Sequence, residues 1–345
     1  QTPYNQTLFV MSSIFSLGPI DDFMTTPITD YSRVVIRRVL ARSVRKGPVL
    51  KTLTQLGYHL QTVPSSYLPL QLSGSADTVA NGSIVNPLEL RGNFILSYDL
   101  LNRSPILSML SEQWFGDKFG APAVNFHLMQ DLPNRRFAQR RDQPRFIYQH
   151  ILAPHPPFNI AADGSPRETG GLGEMLDDGS QLIGDDETNR ILYREGYLEK
   201  LKYVNRAIVS HIDYLQETRT GPLIIILHGD HGGGLHFDHE EKAKTCALER
   251  YSPLFAVYAS DSSVLKEFSP DFNLVNTYRA IFRAILTSDL PDQTSLSKFV
   301  SWELDTAEVV HPEELIAACA QDHRTIIADR PTPSADKPVP DSVSH

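Results

Sequence analysis

Leu223-Ile224-Ile225-Ile226-Leu227-His228-Gly229-Asp230-His231-Gly232 is the stretch whose reading decides the fold. Five consecutive apolar residues, three of them β-branched, follow Gly221-Pro222 and run into a polar turn. That is the pattern of a fully buried central strand in an α/β sheet. Ligands of open α/β sheets collect beyond the carboxyl ends of the strands, so Asp230 and His231 fall where chemistry is expected. A carboxylate oxygen beside an imidazole nitrogen is half of a coordination shell for Zn or Mn. Taken alone, the pair reads equally well as an N-cap Asp followed by a surface His. Gly232, Gly233 and Gly234 allow a sharp turn and leave room for a bound group.

Upstream of this strand, Tyr193, Tyr197, Leu201, Val204, Ile208, Ile212 and Leu215 recur at spacings of three and four, which predicts an amphipathic helix packed on a sheet. Helix then strand, in that order, supports a doubly wound arrangement. Downstream, His236 and His239 lie among Asp238, Glu240 and Glu241 and are further candidates to touch a metal or a substrate. Phe255 to Tyr258 predicts another strand and Leu274 to Leu286 another helix.

Phe146 to Leu152 predicts a strand that contains His150, and Ala-Pro-His-Pro-Pro follows it. Each proline disfavours helix in the residue before it, so His155 sits in a rigid extended loop just past the strand end. A His between prolines has few ways to be a packed core residue, whereas His150 reads equally as a buried, hydrogen-bonded imidazole. From Asn159 to Glu187 the chain is acidic, glycine-rich and without periodicity, which predicts a long mobile surface excursion.

Near the start, small and apolar residues follow Tyr4-Asn5-Gln6-Thr7 up to Gly18-Pro19, predicting a helix that opens near Thr7. A hydroxyl at a helix N-terminus meets exposed N–H groups that favour an anion, and it serves just as well as a simple cap. Two helices are expected between Tyr31 and Leu56, with a basic face of Arg33, Arg37, Arg38, Arg42, Arg45, Lys46 and Lys51 that is either solvated or laid against anionic lipid head groups. Leu53 to Val63 reads as helix end, glycine turn and strand, and a loop-rich stretch follows to about Asn93. A second basic cluster comprises Arg135, Arg136, Arg140, Arg141 and Arg145.

With 345 residues, 32 basic against 41 acidic and a net charge of -9, nucleic-acid binding is disfavoured, because no excess of positive charge is available for phosphates. Cys246 and Cys319 leave one disulfide possible. No apolar run approaches the roughly 18 residues needed to span a bilayer. The chain begins at Gln1 rather than Met, so upstream sequence, including a membrane anchor, is expected. The polar residues after Asp329 predict a disordered tail.

Four blocks in order give the chain a family resemblance: Tyr-Asn-Gln-Thr at Thr7, Gln-His-Ile-Leu-Ala-Pro-His-Pro-Pro-Phe at His150 to Phe158, Tyr-Val-Asn-Arg-Ala-Ile around Asn205, and Gly-Asp-His-Gly at Asp230. A fifth, weaker block runs from Asn273 to Phe282. Together they resemble the sulfatase-like branch of the alkaline phosphatase superfamily, especially membrane-anchored bacterial hydrolase/transferase proteins related to lipoteichoic acid synthases and phosphoethanolamine transferases. The resemblance implies an α/β three-layer sandwich with a mostly parallel central sheet, lacking its N-terminal part. It implies a catalytic domain over 1–300, an extension over 301–328 and a tail over 329–345.

It further implies a divalent metal (Mn, Zn, Mg or Ca) held by Asp230, His231, the hydroxyl of a Thr7 nucleophile and an acidic residue upstream of Gln1. His155 and His236 become catalytic, and His150 and His239 candidates for substrate contact. The formylglycine signature of Cys or Ser before Pro and Arg is absent at Thr7, which favours phosphorus over sulfate. The implied substrate is a phospholipid or envelope glycan, handled outside the cytoplasm by a membrane-tethered enzyme. A non-catalytic binder on the same fold and a sulfate ester hydrolase are the alternatives.

Overall fold

A computed structural model describes residues 1–24, 27–63, 65, 67–72, 77–80, 83–85, 129, 132, 143–168, 180–183, 186–269, 272–286, 288–294, 296–311 and 313–314. The cluster Arg135, Arg136, Arg140 and Arg141, together with Cys319 and the expected tail, lies outside them. Among the described residues no helix is long and apolar enough to cross a membrane.

Helix α1 (Thr7–Ser16) is the centre of the main core, and Leu8 to Phe15 are buried without interruption. A helix apolar on every side must be wrapped by other elements. Here α2 (Arg33–Lys46) contributes Ile36, Leu40 and Val44, α3 (Pro48–Gln55) Leu50 and Leu53, strand β1 (His59–Thr62) Leu60, and strand β4 (Arg145–Tyr148) Tyr148. The hydroxyls of Ser12 and Ser13 are buried there because they donate back to Leu8 O (2.6 Å) and Phe9 O (2.9 Å). The helix ends at Leu17, whose φ of 61° starts the turn into Gly18-Pro19.

Strands β2 (Asp77–Ala80) and β3 (Ser83–Val85) complete a four-stranded sheet in the order β3-β2-β1-β4. Strand β1 runs parallel to both β2 and β4, and β2–β3 is antiparallel. The two short strands fall inside the stretch read from sequence as loop-rich. Strand β4 stops at Tyr148, so His150 lies just past the strand end rather than within it; the prolines that follow leave the backbone no strand to extend.

The deciding stretch forms β5 (Ile224–His228), which pairs antiparallel with β6 (Phe255–Ala259), Ile226 opposite Val257. All five residues of β5 are half-buried rather than fully buried. Its one partner strand among the described residues is β6. The described strands thus form separate sheets of four, two and two strands, and one mostly parallel central sheet of a three-layer sandwich is not seen among them. The third is the antiparallel pair β7 (Ser297–Val300) and β8 (Ala307–Val310), which spans the boundary expected at residue 300.

Helix α4 (Ser180–Ile183) precedes the long α5 (Glu187–Glu217), whose N-cap Asp186 accepts from Thr188 N–H. The segment before α5 is not the fully mobile excursion expected: Ile160 and Ile183 are buried, and Ala162 N–H donates to Glu199 of α5 at 3.1 Å. The remaining helices are α6 (Ala247–Tyr251), which begins at the disulfide-bonded Cys246, and α7 (Thr277–Leu286).

Candidate active site

Thr7 is the first residue of α1, and the N-cap is Gln6, which makes no side-chain capping bond. Gln6 instead spends its amide on Val300 O at 2.8 Å. The Thr7 hydroxyl is therefore not a cap. It points across to the turn after β5, where Thr7 Oγ1 and His231 Nε2 are 3.2 Å apart and the hydroxyl helps to hold the Asp230 carboxylate in its charged form.

The N-terminal segment holds this meeting in place. Thr2 Oγ1 donates to Asp230 O (2.6 Å), and Asn5 pairs with the Val300 backbone through both ends of its amide, at 3.0 and 2.9 Å. Arg250 of α6, 3% exposed, ties the parts together: Nε donates to Asn5 O (2.9 Å), Nη1 to Gly233 O (3.1 Å), and Nη2 reaches to 3.5 Å from His231 Nε2. The Cβ-less glycines are explained by the same helix. A Cβ on Gly232 would lie 1.7 Å from Glu249 O, and one on Gly233 2.8 Å from Glu249 Oε1. The room expected for a bound group is occupied by the backbone and side chain of Glu249.

His231 Nδ1 faces Gly232 O at 2.9 Å, so that nitrogen carries the proton and donates it to the carbonyl. In the neutral ring the Nε2 lone pair then looks at Asp230 Oδ2, 3.3 Å away. Two acceptors at this distance need donors or a cation beside them; the Thr7 hydroxyl at 3.2 Å and Arg250 Nη2 at 3.5 Å face the same Nε2, and a divalent cation would serve the same end. An Asp oxygen, an imidazole nitrogen and a hydroxyl converging on one point form a donor set that fits a divalent metal. Among the described residues no group of three or more His, Cys, Asp or Glu side chains gathers as a complete shell.

Burial on its own would raise the Asp230 carboxyl, but His231 beside it, the Thr7 hydroxyl and His150 together hold it well below the usual carboxylate range. It is an anion throughout the physiological range. Desolvation pushes the His150 imidazole from 6.5 down to about 4 despite the opposing pull of Asp230, with His228 and His155 adding repulsion. His150 Nδ1 is 2.8 Å from Ser65 Oγ, and its ring lies 6.2 Å from that of Tyr67. His150 is thus a neutral, hydrogen-bonded imidazole within electrostatic reach of Asp230.

His155 Nδ1 donates to Pro156 O at 2.6 Å, and the loop it occupies is clamped from behind by Lys200 of α5. Lys200 is completely buried; its Nζ donates to His155 O (2.5 Å) and Pro157 O (3.0 Å), and burial pushes its ammonium down to about 7. His236 Nδ1 faces Glu249 Oε2 at 2.8 Å, a carboxylate that orients the ring and fixes its tautomer. His239 is set apart from these groups. Its ring packs against Phe237 at 4.7 Å and Trp302 at 5.1 Å.

Sequence reading missed Arg250, Lys200, Asn5 and Glu249. Arg250 and Glu249 sit in a five-residue helix with no motif around them, and Lys200 occupies a position on α5 that polarity assigns to solvent. Asn5 was quoted only as part of the Tyr-Asn-Gln-Thr block.

With this geometry in hand, residues 116–273 match the family model described as Sulfatase. The match spans a little under half of the chain and makes this part of it similar to the sulfatase family. The matched span includes His150, His155, Asp230, His231, His236 and His239, and Thr7 precedes it. A sulfatase domain implies an alkaline-phosphatase-like α/β fold and hydrolase-type chemistry, and members of the family generally use a divalent metal. No curated protein and no solved structure matches the chain.

Proposed function

We propose that this protein is a metal-dependent phosphoester hydrolase or phosphoryl-group transferase with Thr7 as its nucleophile. One observation carries the reading: a hydroxyl at a helix N-terminus, released from capping duty, meets His231 Nε2 at 3.2 Å and lowers the pKa of the adjacent Asp230 carboxyl. A divalent metal held by Asp230, His231 and Thr7, with a further acidic ligand from upstream, would lower the hydroxyl pKa and neutralise charge on the phosphoryl oxygens.

The chain's own groups supply the rest. Thr7 Oγ1 gives up its proton to solvent water and attacks phosphorus in line, forming a Thr–O–P bond as the bond to the leaving oxygen breaks. The leaving alkoxide takes a proton from the imidazolium form of His155 or His236, rings that are oriented through Nδ1 by Pro156 O and by the Glu249 carboxylate. Water or an acceptor alcohol then attacks phosphorus and returns Thr7, the choice deciding hydrolase against transferase. The finer assignments belong to the same proposal: a three-layer sandwich as scaffold, an envelope phospholipid or glycan as substrate, and a membrane-tethered position outside the cytoplasm. Sulfate ester hydrolysis is the second reading, favoured by the family match itself.

The test compares aryl phosphate mono- and diesters with an aryl sulfate, with Mn, Zn, Mg or Ca present. Wild-type protein is expected to turn over a phosphate ester in preference to the sulfate. Thr7→Ala and Asp230→Asn are each expected to lower kcat by at least about a thousandfold with the melting temperature preserved. Preference for the sulfate overturns the phosphorus reading. Full activity in Thr7→Ala overturns the nucleophile.

A further inference from the structure

Helix α2 carries the strongest charge feature outside the site. Its sequence, Arg-Val-Val-Ile-Arg-Arg-Val-Leu-Ala-Arg-Ser-Val-Arg-Lys, holds six cations and no acid in a chain of net charge -9. Ile36, Leu40 and Val44 face the core, which turns the basic residues outward. Arg33 is neutralised by Glu303 at 2.8 Å, and Arg33 and Arg37 both stack on Trp302 at 5.1 Å. Arg37 and the other four, Arg38, Arg42, Arg45 and Lys46, line an open groove of about 500 Å³ with Val34 and Pro69. Arg38, Arg42 and Lys46 are exposed.

Two apolar side chains stand in water beside these cations, Val34 at 60% and Val35 at 42% exposure. A soluble polyanion would use the charges and leave the valines solvated. A bilayer interface takes both, with head-group phosphates on the guanidinium groups and the valines in the boundary region.

The groove is also joined to the candidate site. Pro69 lies in the turn Leu68–Leu70, and the same segment supplies Ser65, hydrogen-bonded to His150. Tyr67, between them, is within electrostatic reach of both Arg37 and Asp230.

We infer that the exposed face of α2 is a docking surface for an anionic phospholipid bilayer, placing the Thr7–Asp230–His231 cluster near the head groups. The inference goes beyond the proposed chemistry and does not depend on it, because Thr7→Ala protein should bind vesicles as the wild type does.

The test is flotation of the full chain with vesicles of phosphatidylcholine alone or mixed with phosphatidylglycerol. Wild-type protein is expected to float with the anionic vesicles only, and to be released by added salt. Arg38→Glu with Arg42→Glu should lower the partition by about tenfold or more, and the milder Arg38→Gln with Arg42→Gln by about fivefold. The charge reversals Arg194→Glu with Arg206→Glu, on the exposed face of α5, should leave it unchanged, with circular dichroism melts confirming that each variant folds. Equal binding to neutral vesicles, or equal loss in the α5 control, overturns the inference. So does retention on heparin without flotation, which assigns the groove to a soluble polyanion.

Discussion

His150 shows how a single residue couples the site to stability. Its imidazole titrates near 4 in the folded chain against 6.5 ordinarily, with Asp230, His228 and His155 as its charged neighbours and Ser65 and Tyr67 beside it. The unfolded chain therefore binds its proton first as pH falls. Stability from this residue is fully present above pH 6.5, declines between 6.5 and about 4, and levels off below. The wild type should lose about 3 kcal/mol more than His150→Gln on acidification through that window, read from urea midpoints at each pH. Equal losses in the two proteins would show that His150 is not held neutral by the fold. Sequence could offer His150 as a buried imidazole or as a substrate contact, but the desolvation that separates these roles comes from Tyr67 and Ser65, far away in the chain. Asp230 and His231 were legible for the opposite reason: adjacent residues at a strand end reach one point whatever the rest of the chain does.

At the scale of elements, periodicity located the helices well and chose their faces less well. α1, α2 and α3 close at or just before the Gly residues Gly18, Gly47 and Gly57, and α3 opens at Pro48. The apolar stripe read from Tyr193 to Leu215 is buried at Tyr193 and Val204 and packs half-buried at Tyr197, Ile208 and Leu215, while the buried line also takes in Gly196, Lys200, Ala207 and His211. Gly196 is there because a Cβ would lie 2.7 Å from Phe158, and Lys200 because it holds the His155 loop. Hydrophobicity cannot see a residue buried for close approach or for carbonyl partners. Gly232 belongs to the same class. Gly232→Ala would drive a Cβ into Glu249 O, separating α6 from the turn that carries Asp230. It should cost at least about 3 kcal/mol in chemical denaturation, with activity falling alongside. A variant as stable as wild type would mean that α6 can move away freely.

Across the whole molecule, the site depends on contacts between distant parts of the chain. Thr2 reaches Asp230 across 228 positions and Asn5 reaches Val300 across 295. Both place α1 against the β5 turn and the β7–β8 pair. No local pattern encodes those contacts, so they could be anticipated only through the ordered blocks of the family resemblance. The strand expected at Leu223 to Leu227 forms as β5, half-buried rather than fully buried, and pairs with β6 among the described residues. Charge is likewise distributed at this scale, with a net negative chain concentrating its cations on α2 beside the site.

The central claim, that Thr7, Asp230 and His231 act as one nucleophilic metal site, is tested most directly by acid-quenching the protein after mixing with a labelled aryl phosphoester and Mn or Zn, then mapping the label by peptide mass spectrometry. The account expects a phosphoryl group on Thr7 that requires the metal and is absent in Asp230→Asn. Turnover that survives Thr7→Ala, with the label on another residue, would contradict it, as would a protein that takes up neither metal nor label.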